Sequence, residues 1–261
     1  MILSKLKTSL DSPVSYVLGK DTDAFLLNDL LGKKIKLSWT GIIECVKCQK
    51  HTKKSFGEGF CFTCFQSAPE ASPCILRPEL CRAHLGEGRD LVYETTHHLQ
   101  PHIVYLALTD VVKVGVTRKT QVPTRWIDQG AAAAIILAET QNRYQAGMLE
   151  VAMKELYTDK TNWRKMLLNA TGEEVDLSEE KWQAHDQMPS DLANFWVEND
   201  DITHINYPVL IYPELVNSLT FDSQPNIEGV LTGIRGQYLY LDEKNVLNIR
   251  RHSGYEIAFN A

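Results

Sequence analysis

Four cysteines within twenty residues constrain this chain more than any other feature. They read Cys45-x2-Cys48, twelve residues, then Cys61-x2-Cys64. Two such knuckles bring four thiolates to one tetrahedral centre at the short reach that Zn²⁺ prefers. Gly57 and Gly59 stand just before the second pair, where a knuckle needs its turn. Lys47, Lys50, Lys53 and Lys54 lie within or between the pairs, and their charge favours thiolates and offsets a negative Zn–Cys₄ centre. With every position taken by Cys, the site is structural and leaves no place for a substrate. A redox pair, free core thiols and an iron–sulfur cluster are the other readings of the same residues.

Cys74 and Cys81 follow in PCILRPELCRAHLGEGRD, with His84 and the His97–His98 pair behind them. Cys74, Cys81, His84 and His98 are enough ligands for a second Zn²⁺. Their spacing is less regular, so structural thiols and surface imidazoles stay open as the alternative. A metal at His98 would staple this Cys-rich module to whatever follows it.

The chain has 261 residues, enough for one large domain or two to three small ones. Its 44% hydrophobic and 23% charged content is that of an ordinary soluble protein. No apolar run has the length of a membrane span, and the N-terminus lacks the apolar core of a signal peptide. The expectation is a cytoplasmic protein without a membrane partner, whose six Cys serve metals or stay reduced rather than form disulfides. The net charge of −6 alone argues against nucleic acid, but it is unevenly spread. Residues 171–201 hold ten Asp or Glu against one basic residue, Lys181, whereas residues 1–170 hold 22 Lys or Arg against 17 Asp or Glu. A mildly basic first two-thirds is compatible with phosphate contacts.

The stretch from His102 to Glu150 has its own pattern. Apolar runs at 103–108 and 111–116, split by Thr109 and Asp110, predict a β-hairpin. Gly115 permits a close backbone approach. A basic loop with Arg118, Lys119 and Arg125 comes next, and Pro123 fits the start of a short helix. The alanine-rich run 131–138 predicts a buried strand or helix end. A further helix is expected to turn Leu149, Ala152, Met153 and Leu156 to one face, with Glu150 beside it. Asn162, in TDKTNW, fits a helix cap.

This order resembles the GIY-YIG nuclease superfamily over roughly fifty residues. Tyr105 stands at the Tyr of the first motif, and Lys113-Val114-Gly115 stand at Tyr-Ile-Gly of the second. Arg125 matches the Arg of the following helix, and Glu150 the metal-binding Glu of a later one. Ile103, Lys113 and Gln129 replace a Gly, a Tyr and a commonly found His. The resemblance implies phosphodiester hydrolysis at a site of Tyr105, Lys113, Arg125 and Glu150, with Tyr105 accepting or relaying the proton, Arg125 on the phosphate and Glu150 on Mg²⁺ or Mn²⁺. DNA or RNA contacts are then expected through Arg118, Lys119 and Trp126, with Lys53 and Lys54 of the knuckle; packing of Trp126 on the domain face is the alternative to its stacking on a base. The alternative is a non-catalytic module that binds RNA, DNA or a protein partner, or a zinc-stabilised scaffold.

The chain as a whole, through CILRPELC, QPHIVYLA, KVGVTRKTQVPTRWIDQGA and GVLTGIRGQYLYL, resembles an uncharacterised bacterial family, domain-of-unknown-function family 2797. The expected fold class is α+β. It divides into an N-terminal β segment (1–40), the Cys-rich zinc module (41–100), the GIY-YIG-like α/β domain (101–170), an acidic linker with a docked helix (171–201) and a C-terminal β domain (202–261). Sixty residues make a thin core alone, so the last part is expected as a small β-barrel or sheet that N-terminal strands can complete.

Overall fold

The computed structural model describes residues 1–20, 23–170 and 175–261. The start of the acidic segment, from Thr171, lies outside the described residues.

Short strands β1 (Lys7–Ser9), β2 (Ser15–Leu18) and β3 (Phe25–Leu26) form a small antiparallel sheet. Then β4 (Lys34–Ile43) alternates in the way a one-sided strand must, burying Ile35 and Leu37 and exposing Lys34 and Lys36. It runs across the boundary expected after residue 40. The Cys-rich module follows, with two short helices, α1 (Phe62–Ser67) and α2 (Leu91–His97). Asp90 caps α2 by accepting from the amides of Val92 and Tyr93.

The predicted hairpin is β5 (His102–Leu108) and β6 (Val112–Arg118), with Tyr105 opposite Gly115. Helix α3 (Thr124–Asp128) follows Pro123, and the alanine-rich run is a strand, β7 (Ala133–Thr140). Asn142 caps α4 (Arg143–Met153). The sheet order is β6-β5-β7, closed on the far side by β8 (Ile202–His204). Residues 202–204 therefore belong to the central sheet. Helix α4 lies on the face of Val104, Leu106 and Val114 through Ala146, Leu149 and Met153. Leu149 and Met153 hold the expected apolar face and Ala152 packs beside it, but the helix ends at Met153, and Leu156 beyond it is exposed.

Asn162 caps α5 (Trp163–Leu167) as expected. The acidic segment docks α6 (Leu177–Asp186) through buried Leu177 and Ala184. Its fully buried Lys181 donates to the carbonyls of Val197 and Asn199, at 2.6 Å each.

The C-terminal strands are β9 (Asn217–Leu219), β10 (Asn226–Arg235), β11 (Tyr238–Leu241), β12 (Asn245–Asn248) and β13 (Tyr255–Asn260). They do not close a barrel. They form an open six-stranded sheet, β13-β4-β10-β11-β12-β9, with β4 between β13 and β10. Leu37 faces Ile227 on one side and Phe259 on the other. An N-terminal strand thus completes the C-terminal sheet, because the later strands alone supply too little apolar surface. No described helix is long and apolar enough to cross a membrane.

Candidate functional site

Among the described residues, the metal-ligand types come together in two places. The Sγ atoms of Cys45, Cys48, Cys61 and Cys64 all lie within 4.8 Å of one another. Those of Cys48 and Cys61 are 3.9 Å apart, against about 3.8 Å for two thiolates on a tetrahedral Zn²⁺. Burial opposes ionisation of Cys45, but the amides of Cys48, Cys61 and Lys47 point at its sulfur and bring its pKa down to about 6. The donor set and the spacing fit a structural Zn²⁺. Cys48 is exposed, and the turn around it is held by Lys47 bonding Glu70 at 2.7 Å.

Cys74, Cys81 and His98 form the second cluster, all three buried. His98 Nδ1 lies 3.7 Å from Cys81 Sγ and 4.0 Å from Cys74 Sγ, near the roughly 3.6 Å of a tetrahedral sulfur–nitrogen pair on Zn²⁺. The hydrogen bond from Cys81 pulls the Cys74 thiol down to about 4, and donating it pushes Cys81 up. His84 stands apart: its ring stacks on Tyr144 at 4.3 Å. His97 stacks on Tyr93 at 3.9 Å.

This second cluster sits at the seam with the central sheet. Arg143 of α4 donates through Nε to the carbonyl of Cys74 at 2.9 Å and through an Nη to that of Ile75 at 2.8 Å. Gly147, one turn on, meets the 78–79 turn so closely that a Cβ there would lie 2.2 Å from the Glu79 nitrogen. A glycine inside a helix is a signal of such an approach that the sequence reading passed over.

On the other face of the sheet, Tyr105 is fully buried and crosses Gly115, where a Cβ would lie 2.7 Å from the hydroxyl. That hydroxyl donates to Gln129 Oε1 at 2.8 Å. Burial raises its pKa, and the neighbouring Arg125 pulls the other way. Lys113, 4% exposed, is brought down to about 8 by burial and by the charge of Arg125, against Asp110, Asp159 and Glu150. Burial raises the pKa of Glu150 against the pull of Lys154, whose Nζ is 3.5 Å from its Oε2 and 3.0 Å from Asp159. Tyr105, Gln129, Arg125 and Lys113 therefore share one locality. Glu150 comes from α4 and reaches Lys113 and Tyr105 through its field.

Between the Cys-rich module and this sheet runs a cleft of about 1110 Å³. Phe60, Phe65, Arg89, Tyr93, His97 and His98 of the Cys-rich module line it together with Arg118, Arg125, Gln129 and Arg143 of the central domain and Arg250, and the carboxylates of Glu58, Glu70 and Asp128 line it too. Arg250 is paired with Glu58 at 2.7 Å, and Arg89 donates to the carbonyl of Ala68 at 2.8 Å. Arg118 and Arg125 have no carboxylate partner among the described residues. The other basic candidates lie elsewhere. Lys119 is exposed and bonds Glu139 at 2.8 Å. Lys53 and Lys54 are exposed on the knuckle, with Lys54 Nζ 5.5 Å from the centre of the Phe56 ring. Trp126 is buried edge-on against Tyr105, its ring taken up by packing. Arg89, Tyr93 and Arg250 escaped the sequence reading because the cleft is assembled from distant segments that share no spacing.

No curated protein and no solved structure matches this chain. One family does, over residues 32–257. Those residues take in the knuckle, the seam cluster, the cleft and most of the six-stranded sheet, so the chain belongs to the family described as protein of unknown function, DUF2797.

Proposed function

We propose that the protein binds a nucleic-acid strand in the arginine-lined cleft, with a phosphate at Arg125. The observation that carries this is the pair Arg118 and Arg125, without carboxylate partners among the described residues, in a cleft also lined by Phe60, Phe65 and Tyr93. Guanidinium groups beside the exposed Phe65 ring and the half-buried rings of Phe60 and Tyr93 suit a backbone phosphate and its base together. The cleft volume also exceeds the roughly 300–1,000 Å³ of a small-molecule pocket, which suits a polymer segment. Fluorescence anisotropy with labelled DNA and RNA oligonucleotides across a salt series tests it. Arg118→Ala and Arg125→Ala should each weaken binding and each reduce the salt slope by about 1. Parent protein that binds no oligonucleotide at low salt would sink the proposal and leave a zinc-stabilised scaffold or protein-binding module.

Hydrolysis of the bound strand is the second reading. It is favoured by the resemblance of residues 102–150 to the GIY-YIG superfamily and by the contact of Tyr105 across Gly115. Arg125 beside the Tyr105 hydroxyl would stabilise the phosphate, and Lys113 is the group whose lowered pKa suits a proton acceptor. Glu150 would hold Mg²⁺ or Mn²⁺, which supplies charge neutralisation at the leaving oxygen. With either cation, Arg125→Ala and Glu150→Ala should abolish cutting with the fold intact. With Lys113 as the base, the rate should climb as pH rises through about 8. Binding without cutting would reject hydrolysis and keep the first reading.

A further inference from the structure

Three carboxylates line the cleft beside its arginines, and each is already bonded to another group. Glu58 holds Arg250 and Glu70 holds Lys47, at 2.7 Å each. Asp128 accepts from Lys5 Nζ through Oδ2 and from Gln237 Nε2 through Oδ1, at 2.8 Å each. Asp128 stands three residues after Arg125 on α3, the spacing at which a carboxylate and a guanidinium meet on a helix surface. Yet Arg125 has no carboxylate partner among the described residues. We infer that Lys5 and Gln237 are positioning residues that hold Asp128 off Arg125 and so keep this guanidinium free for phosphate; the inference rests on the proposed binding of a strand in the cleft.

Gln237 is fixed in the orientation this needs. It lies in the turn between β10 and β11 and is 2% exposed. Its Oε1 accepts from the Leu6 amide at 2.6 Å, which turns Nε2 toward the Leu6 carbonyl and Asp128. The end that meets Asp128 is therefore a donor, and it attracts the carboxylate without adding a charge. The turn itself is seated on the end of α3. Gly236 has φ +61°, and a Cβ there would lie 3.1 Å from the Asp128 carbonyl oxygen. The neighbouring Arg235, 1% exposed, donates through Nε to the carbonyl of Gly130 at 3.0 Å. Lys5 supplies the charge that Gln237 lacks. Both oxygens of Asp128 are thus occupied, and only 3% of its side chain is exposed. Turning it to Arg125 would break an ion pair and a hydrogen bond together. The N-terminal segment and the C-terminal sheet reach the cleft through this one carboxylate.

The test reads fluorescence anisotropy on the full chain with the DNA or RNA oligonucleotide that the parent binds, and urea midpoints check folding. Gln237→Met should weaken binding about fivefold, as the released Asp128 pairs with Arg125. In the Arg125→Ala background the same change should have no effect, whereas a loss of general stability would weaken both alike. Asp128→Asn should gain more affinity in Gln237→Met than in the parent, because there it removes the competitor. Lys5→Ala, at a side chain 43% exposed, should fold as the parent does and show the same dependence on Arg125. A direct phosphate contact from Lys5 would instead cost affinity with or without Arg125. Should Gln237→Met fail to fold, Lys5→Ala decides alone. Losses that add to that of Arg125→Ala, or no loss in either variant, would overturn the inference and leave strand binding in place. A parent that binds no oligonucleotide would remove the reading and the inference together.

Discussion

The knuckle and the seam cluster use the same element of chemistry in opposite settings. The knuckle gathers its four ligands from twenty residues, and Cys48 is in solvent. The seam cluster draws on residues from Cys74 to His98, all buried, and is tied through Arg143 and Gly147 to the central sheet. A local centre stabilises its own loop. A buried centre between two bodies carries part of the free energy that holds them together, and with it the shape of the cleft whose wall includes His98.

The sharpest way to break this contrast is to remove one ligand from each. Cys81→Ser should lower stability by several kcal/mol, on the order of 5, and open the cleft. Cys48→Ser should unravel the knuckle and leave most of the fold protected. Thermal melting with hydrogen exchange reads both, and equal losses would erase the distinction. Next in size is Arg143→Met, which leaves the buried carbonyl of Cys74 and the half-buried carbonyl of Ile75 without this donor, a cost of about 2–3 kcal/mol. It should speed loss of the seam metal to a chelator without touching the knuckle metal.

His102, at the start of β5, sharpens the contrast through pH. Burial first, then the charge of Arg143, brings its pKa down to about 4 from an ordinary 6.5. The folded state therefore favours neutral imidazole. The stability this contributes is complete above pH 6.5, falls as pH drops through the interval, and is gone below about 4, a change of roughly 3 kcal/mol. Urea midpoints at pH 7 and pH 5 should differ less in His102→Gln than in the parent. The smallest effect belongs to Lys47→Ala, which removes a half-exposed bridge to Glu70 and should cost under about 1 kcal/mol. A larger loss, read in the same melts, would mean the knuckle is more firmly bound to its module than its exposure indicates.

What the sequence discloses follows the same division. The knuckle is legible because four ligands at regular short spacing leave few alternatives. The hairpin, the helix start after Pro123 and the cap at Asn162 are legible because periodicity and capping are local. The seam is half legible: Cys74, Cys81 and His98 are candidates by type, but their irregular spacing does not say that these three meet. His84 has the right type and stacks on Tyr144 instead. The cleft is least legible, since Tyr93, Arg118 and Arg250 meet only after three parts of the chain have packed. The end of α4 was misplaced because the apolar pattern runs on through Leu156 while the backbone leaves the helix after Met153.

The placement of β4 between β10 and β13 bears on how the protein is made. During synthesis β4 leaves the ribosome about 180 residues before β10, a wait of roughly ten to forty seconds at ordinary elongation rates. Throughout that interval both of its edges are open to other chains. Lys34 and Lys36, exposed on the finished sheet, would then act as guards against wrong partners. The nascent chain is most vulnerable to aggregation in that window, after the metal sites have been translated and before the strands that enclose β4 have appeared.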